Sequence, residues 1–499
     1  MDGKETKVLV ANRGEIAVRV LRGLREAGYG TVAIFSEPDA TSLHVQIADE
    51  AVALGGSTSA ESYLDIGKVI GAARDSGTTA IHPGYGFLSE NSDFRRACDD
   101  AGIVFIGPPE GAIRDMGNKL LARKTMSAAG VPVVPGSLDP ATDVAAAKKD
   151  SAKAGYPVML KAVAGGGGKG MRKVEREEDL AAAFEAASRE ASASFSDAAV
   201  YVEKFLRGPR HVEVQVLADG EGRVVHLFER ECSVQRRHQK VIEETPAQNL
   251  PPDVRDAMCE VAVQASKAIG YQCAGTVEFL VDEDHNFYFL EMNTRLQVEH
   301  PVTEAVVAVD LVQAMVGVAL GEPLPWSQSD LSQRGHAIEC RVYAEDPFHD
   351  FLPSPGHLYR YRRPSGPFVR VDDGVDEGGS VSQFYDPMIA KVVTWGESRD
   401  QAISRMIGAL GEYSIGGVRH NIPFLVHALR SVEFAGGRYD TGILDRLGPV
   451  EDQAPTGEET ALAAAAALLG NGHNGHEPTR KDPQPSAWRR ALMPSNGRK

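Results

Sequence analysis

Cysteine is scarce in this chain, with five among 499 residues, at Cys98, Cys232, Cys259, Cys273 and Cys340. They are scattered, odd in number and form no CxxC pair, which excludes a disulfide framework and offers no zinc knuckle. A reducing compartment is the simplest setting for such thiols. Positive charge is also in deficit, with 53 Lys and Arg against 69 Asp and Glu and a net charge of -16. That balance excludes a protein that coats nucleic acid, since no global field attracts phosphate, but it leaves room for local basic pockets. Long apolar runs are missing as well. The N-terminal apolar stretch is only five residues long before charge and a turn interrupt it, too short for a signal peptide. Residues 461–469 are too few and too rich in alanine to span a bilayer. A cytoplasmic protein is expected, and no repeat of 20–50 residues is visible. What the chain has in quantity is glycine (51) and proline (28), spread along most of its length, which argues for many turns. At roughly 150 residues per domain, the length suggests about three domains.

The first hundred residues alternate strand and helix patterns. A short apolar strand at 7–11 leads through the turn Asn12-Arg13-Gly14 into a helix on which Ile16, Val20, Leu24 and Ala27 recur, and a second strand follows at 31–35. This βαβ unit predicts a parallel sheet with helices on both faces. The turn lacks GxGxxG spacing, so it does not specify a dinucleotide site. Arg19, Arg22 and Arg25 lie opposite the apolar stripe, where a solvated face is the plain reading and a partner surface the sharper one. The loop His82-Pro83-Gly84-Tyr85-Gly86-Phe87-Leu88-Ser89-Glu90 is placed to face a ligand at a strand's carboxyl end. A different unit spans about 118–205, opening with Gly117-Asn118-Lys119 and a helix. Short strands dominate 206–447, with helices near 253–268, 303–320 and 398–413. Beyond 448 the composition reads as linker or disordered tail, although Trp488 and its neighbours leave open a docking segment.

Three features carry chemistry. Lys161, delivered by the apolar strand 158–160, precedes Gly165, Gly166, Gly167, Gly168, Lys169 and Gly170. Glycines allow backbone N–H groups to approach phosphate oxygens, and lysines supply charge. The spacing is not Walker A, but a strand-mounted, lysine-bracketed glycine run reads as a phosphate lid in preference to a linker. The second feature is a hairpin, 277–281 and 287–291, with Glu278 and Glu291 embedded in apolar runs, where a carboxylate needs a partner or a metal. If the strand continues to residue 299, then Glu291, Asn293, Arg295, Gln297 and Glu299 share one face. Two carboxylates and an amide oxygen suit Mg²⁺, Arg295 can fork onto a small oxyanion, and Glu299 can act as a base. The third is a cationic stretch, Gln235-Arg236-Arg237-His238-Gln239-Lys240, which fits a pocket for a small anion. His211-Val-Glu213-Val-Gln215 alternates like an ordinary half-buried strand, and Glu339-Cys340-Arg341 reads on its own as a surface pair.

Together these motifs resemble the ATP-grasp superfamily, and within it the biotin carboxylase component of biotin-dependent carboxylases. The matching runs are ANRGEIA at 11–17, HPGYGFLSEN at 82–91, the glycine loop, RRHQK at 236–240, EMNTRLQVEHPVTE at 291–304 and FLPSPG at 351–356, within a resemblance covering about 5–447. It implies an α/β chain, α+β overall. An N-terminal Rossmann-like parallel sheet (1–117) would precede an ATP-grasp region (118–317, lid about 132–205), a C-terminal mixed-sheet domain (318–447) and the tail (448–499). It also implies that ATP is held by Lys119, Lys161, the glycine loop, Glu203, Lys204, Leu206, His211, Gln235, His238, Glu278 and Leu280. Mg²⁺ or Mn²⁺ would sit on Glu278, Glu291 and Asn293. Bicarbonate and biotin would meet Lys240, Arg295, Gln297, the Val298 backbone, Glu299 and Arg341, with Tyr85 and Asp386 near the biotin pocket. Arg19, Arg22, Glu26 and Arg370 would form a homodimer contact.

By the same resemblance, Glu299 deprotonates bicarbonate, which attacks the ATP γ-phosphoryl group to give carboxyphosphate and ADP. Carboxyphosphate then breaks down to CO₂ and phosphate, the phosphate left behind takes the biotin N1′ proton, Arg341 stabilises the biotin enolate, and biotin attacks CO₂. No lysine here stands between two methionines, so biotin is expected in trans on a carrier protein, with a separate carboxyltransferase. The parent enzyme is expected to be an acyl-CoA carboxylase such as acetyl-CoA carboxylase of fatty acid biosynthesis; a pyruvate or propionyl-CoA carboxylase is the alternative. Another ATP-grasp ligase and a non-catalytic nucleotide-binding regulator are the rival readings. RRHQK and the QVEH run oppose the first, and the set Glu278, Glu291, Arg295, Glu299 and Arg341 opposes the second.

Overall fold

The computed structural model describes residues 6–163, 170–195 and 198–450. The expected tail therefore lies, from residue 451 on, outside the described residues, as do Gly165, Gly166, Gly167 and Gly168. The strands Lys7–Val10, Gly30–Phe35, Glu50–Ala53, Ala80–His82 and Val104–Phe105 form a parallel sheet in the chain order third, second, first, fourth, fifth. Successive side chains of a strand point to opposite faces. Val8 and Val10 pack against Ile16, Val20 and Leu24 of the helix Gly14–Glu26, while Leu9 and Ile34 pack against Val69 and Phe94 on the other side. Burial on both faces explains the unbroken apolar run of the first strand. Each such side chain contributes about 1.5–3 kcal/mol.

The order reverses between the first and fourth strands, and the loops that leave them meet there. Asn12 Nδ2 donates to the carbonyls of Pro83 and Tyr85, each at 2.7 Å. Gly84 is required at this crossing: its φ is +64°, and a Cβ would lie 3.0 Å from Asn12 Nδ2 and 3.1 Å from Ile16 Cγ1. The loop 82–91 is thus seated at the switch point of the sheet, where α/β folds hold ligands.

Residues 132–205 contain a three-stranded antiparallel sheet, with Val158–Ala162 between Met171–Val174 and Val200–Lys204. Val158, Leu160, Val200, Val202, Ala147, Leu180 and Phe184 give it its own small core. A larger sheet of eight strands follows: Phe287–Asn293, Cys273–Val281, Arg210–Ala218, Val224–Arg236, Gln239–Thr245, His336–Tyr343, Met388–Gly396 and Val369–Asp373. Its registered strand pairs are antiparallel, and an isolated parallel bridge joins Val133 to Phe289 at its edge. The sheet runs without a break across residue 317, through the pairing of Ile242 with Cys340.

Two local expectations change. The helix expected near 303–320 is two helices, His300–Val307 and Leu311–Ala319, bent by 96°. Ala308 breaks it at φ 59°, and Asp310 restarts it by accepting a hydrogen bond from Gln313 N. The strand expected to reach 299 stops at Asn293. Residues 294–299 turn, and Pro301 opens the helix that follows.

Candidate active site

Strand register assembles the site. Glu291 lies opposite Glu278, Glu278 opposite Glu213, and Glu213 opposite Arg230. Three carboxylates side by side across a sheet repel unless cations intervene. Lys240 supplies one: its Nζ lies 2.5 Å from Glu213 Oε2, 3.0 Å from Glu278 Oε1 and 2.5 Å from Glu299 Oε1. Burial alone would lower the Lys240 pKa, but the three carboxylates outweigh it and raise it well above the ordinary value. Arg230, fully buried, donates to Glu213 Oε1 (2.6 Å), Gln215 Oε1 (2.7 Å), Thr303 Oγ1 (2.9 Å) and Thr276 Oγ1 (3.1 Å).

Glu278 is the hub of the hairpin. Beyond Lys240, it receives Asn293 Nδ2 at 2.7 Å and Gln297 Nε2 at 3.0 Å, and His211 Nε2 lies 2.8 Å away. Burial favours its neutral form, yet Lys240 and His211 prevail and hold the carboxyl far below the usual range. His211 responds in kind: burial opposes its charge, and Glu278 and Glu213 outweigh that and raise its pKa. Gln235 Nε2 reaches His211 Nδ1 at 2.8 Å. Glu291 differs. Burial first, then the charge of Glu278, raises its pKa, with Lys119 and His211 acting against the shift. Among the described residues nothing donates a hydrogen bond to the Glu291 carboxylate, so a hard divalent cation shared with Glu278 and the Asn293 amide oxygen fits this donor set.

The turn 294–299 carries the remaining groups. Arg295 is fixed by Glu90 Oε2 at 2.7 Å and Asn293 Oδ1 at 2.9 Å, with Gln297 Oε1 at 3.3 Å. Glu90 also accepts from Thr294 N at 3.1 Å, so the loop 82–91 reaches the site through its last acidic residue. Glu299 is fully buried, with Oε1 on Lys240 and Oε2 accepting Arg341 Nη2 at 2.9 Å. Burial works against its ionisation, but Lys240, Arg341 and Arg230 keep its pKa well below the ordinary value. Arg341 Nε donates to Glu243 Oε1 at 2.6 Å.

Several site residues lie elsewhere. Lys161 pairs with Glu203, and Arg123 binds the other oxygen of that carboxylate and the Val134 carbonyl. Lys204 donates to the carbonyls of Gly155 (2.7 Å) and Tyr156 (3.1 Å). Leu206 follows the end of that strand and is half-buried, as is Leu280, which sits opposite His211. His238 is exposed at the hairpin turn with φ 67°. The Tyr85 hydroxyl bonds Glu15, and an Asp386 carboxylate oxygen accepts from Met388 N at 2.9 Å. Lys391 donates to the Val298 carbonyl at 2.7 Å.

Three readings are corrected. The strand 210–218 is buried on both faces, not half-buried, because Glu213 and Gln215 face the ion network. Glu339-Cys340-Arg341 is interior, not surface, because the strand carrying it is paired on both edges. Arg19 is not on a solvated face: it is 8% exposed, and its Nη2 lies 2.9 Å from both Glu304 Oε1 and Asp310 Oδ2. Glu304 also accepts Arg370 at 2.7 Å. Arg22 and Arg25 are exposed. The sequence reading missed Glu213, Arg230, Glu243, Glu15 and Lys391. Glu213, Glu243 and Lys391 each interrupt a run rich in β-branched residues, the signal that identified Glu278; Glu15, in the first turn of a helix, and Arg230, between Glu229 and Glu231, gave no such signal.

Three known families match stretches of the chain. Residues 4–113 match the family described as biotin carboxylase, N-terminal domain; 118–327 match the carbamoyl-phosphate synthase L chain ATP-binding domain; 339–446 match the biotin carboxylase C-terminal domain. Biotin carboxylase 1 of Bacillus subtilis is 48% identical over 440 residues, which are 88% of this chain and 98% of that protein. The mitochondrial methylcrotonoyl-CoA carboxylase subunit alpha of Dictyostelium discoideum is 50% identical over 467 residues, 93% of this chain; the match spans only 67% of that protein's length. Among solved structures, the biotin carboxylase domain dimer of Hydrogenobacter thermophilus 2-oxoglutarate carboxylase, in complex with MgADP, ADP and bicarbonate, has a TM-score of 0.86 and 45% identity. The match covers 90% of this chain and 99% of that one.

Proposed function

The chain belongs to the biotin carboxylase family of ATP- and Mg²⁺-dependent ligases, and from that premise we propose that it performs the first half-reaction of an acyl-CoA carboxylase. Bicarbonate and ATP would give carboxyphosphate, and biotin on a carrier protein would receive the CO₂. The observation that carries this reading is the Lys240 ammonium, buried among Glu213, Glu278 and Glu299. A cation so surrounded can turn toward an incoming anion without leaving its carboxylates unpaired.

In this reading Glu299, ionised at neutral pH, takes the bicarbonate proton. Lys240 and Arg295 hold the bicarbonate oxygens, with Gln297 and the Val298 backbone completing the cradle. Mg²⁺ on Glu278, Glu291 and Asn293 would supply charge neutralisation beside the transferred phosphoryl group. Lys119, Lys161, the glycine loop with Gly170, Glu203, Lys204, Leu206, Leu280, His211, Gln235 and His238 would surround the nucleotide. Arg341, already shared between Glu243 and Glu299, would stabilise the biotin enolate, with Tyr85 and Asp386 beside the ring. Arg19, Arg22 and Arg370 would meet a second copy of the chain in a homodimer.

The likeness to a methylcrotonoyl-CoA carboxylase subunit favours a branched acyl-CoA as final acceptor over the acetyl-CoA first expected. A biotin carrier and a carboxyltransferase complete that reaction. The test is ATP hydrolysis that depends on bicarbonate and accelerates with free biotin; hydrolysis indifferent to both would overturn the assignment. Transfer to a panel of acyl-CoA acceptors, with the carrier and carboxyltransferase added, identifies the parent enzyme.

A further inference from the structure

Lys391 lies in the strand Met388–Gly396 with its side chain fully excluded from solvent. A lysine in that position must spend its three donors on protein groups. Its Nζ donates to the Val298 carbonyl at 2.7 Å, lies 3.3 Å from Glu15 Oε2 and stands 6.0 Å from the centre of the Tyr85 ring. In register, Lys391 is the cross-strand neighbour of Arg341. Two adjacent residues of one sheet therefore grip the same small turn: Arg341 takes the Glu299 carboxylate, and Lys391 takes the carbonyl that immediately precedes Glu299.

The start of the turn is held by Thr294 N on Glu90 at 3.1 Å and by Arg295 Nη1 on the Leu296 carbonyl at 3.2 Å; its end, 297–299, is held less by its own backbone. Its own hydrogen bonds are long, 3.4 Å from His300 N to Gln297 O and 3.3 Å from Val302 N to Glu299 O. The short contacts are both with buried side chains: His300 Nδ1 on Gln297 O at 2.7 Å, and Lys391 on Val298 O at 2.7 Å. A peptide unit is planar, so fixing the Val298 oxygen also fixes the Glu299 N–H and the Cα from which the Glu299 side chain departs.

We propose that Lys391 is a positioning residue for the carboxylation reaction, pinning the 298–299 peptide so that Glu299 and the Val298 backbone meet the small anion in one fixed arrangement. It touches no substrate and acts through that carbonyl. This rests on the functional reading above for Glu299.

Removing Lys391 alone would strand Glu15, so the test uses the full chain as wild type, Glu15→Gln, and Glu15→Gln with Lys391→Met. Each is assayed for bicarbonate-dependent ATP hydrolysis without biotin, and for MgADP binding by calorimetry. Glu15→Gln keeps the carbonyl bond and should retain turnover within about twofold, whereas the double variant should lose about 10- to 100-fold in kcat with MgADP affinity held within about twofold. Equal activity of the two variants overturns the proposal, as does an equal loss in both, which would place the effect in the Glu15 pair. If the double variant fails to bind MgADP, Lys391→Arg decides. Retained turnover supports a donor to the carbonyl, and lost turnover with nucleotide binding intact refutes it. A wild type without bicarbonate-dependent hydrolysis would instead refute the functional reading itself.

Discussion

Arg230 is the sharpest place to perturb the ion network, because it touches no expected ligand and yet sets the charge balance of the site. The substitution Arg230→Met keeps the length of the side chain and removes its donors. Glu213, with no exposure to solvent, then keeps Lys240 as its one close counter-charge among the described residues, with His211 Nε2 3.9 Å away, and the acceptors of Gln215, Thr276 and Thr303 lose their donor. Breaking a buried pair by removing one partner costs about 3–5 kcal/mol, a large share of a typical total of about 5–15 kcal/mol. Glu213→Gln added to Arg230→Met removes the orphaned charge, so the double variant should recover about 2 kcal/mol or more relative to simple addition. Hydrogen exchange of the strands Arg210–Ala218 and Val224–Arg236 against urea reads the local loss without requiring that the whole chain unfold in one step. Function should fall as well, since an unpaired Glu213 competes with Glu299 for Lys240. A destabilisation below about 1 kcal/mol, with full bicarbonate-dependent turnover, would refute the claim that Arg230 balances the carboxylate row.

Three further outcomes follow from the same geometry. Glu299→Gln should lower bicarbonate-dependent ATP hydrolysis by about 10²- to 10⁴-fold while MgADP affinity, measured by calorimetry, stays within a few-fold; unchanged turnover would rule out Glu299 as the base. Glu291→Gln should raise the Mg²⁺ concentration needed for half-maximal hydrolysis, read from a metal titration, and removal of the metal by a chelator should abolish activity in the wild type. Burial raises the Glu15 carboxyl from 4.5 to about 7, with Lys391 opposing the shift and Asp372 reinforcing it. A raised folded-state value means that stability is fully present below pH 4.5 and is lost as pH rises through 7, by about 3 kcal/mol at most. Thermal unfolding at pH 5 and pH 8 should show that loss, and Glu15→Gln should flatten it.

The parts of the site legible in the sequence were those in which chemistry and period coincide. Glu278 and Glu291 stood out because each interrupts an apolar strand, and their hairpin formed with the two carboxylates opposite each other. The period-two reading failed after Asn293, because alternation alone cannot show whether a chain continues straight or turns. Here Pro301 and the turn at 294–299 end the strand, and the sharing of Glu278 by Asn293, Gln297 and Lys240 is brought about by folding back. Glu213, Arg230 and Lys391 escaped notice for a different reason. Glu213 alternates with apolar neighbours as a solvent-facing residue would, Arg230 stands between Glu229 and Glu231, and Lys391 is a single charge in an apolar run; only the pairing of strands far apart in the chain shows that all three are covered. Arg19 was misread because its helix packs against distant helices: Glu304, 285 residues away, and Asp310 meet it there. Sequence pattern reports which side of a strand or helix is polar. Whether that side meets water or a buried counter-charge is decided by long-range register, and in this protein the chemistry is concentrated in the second case.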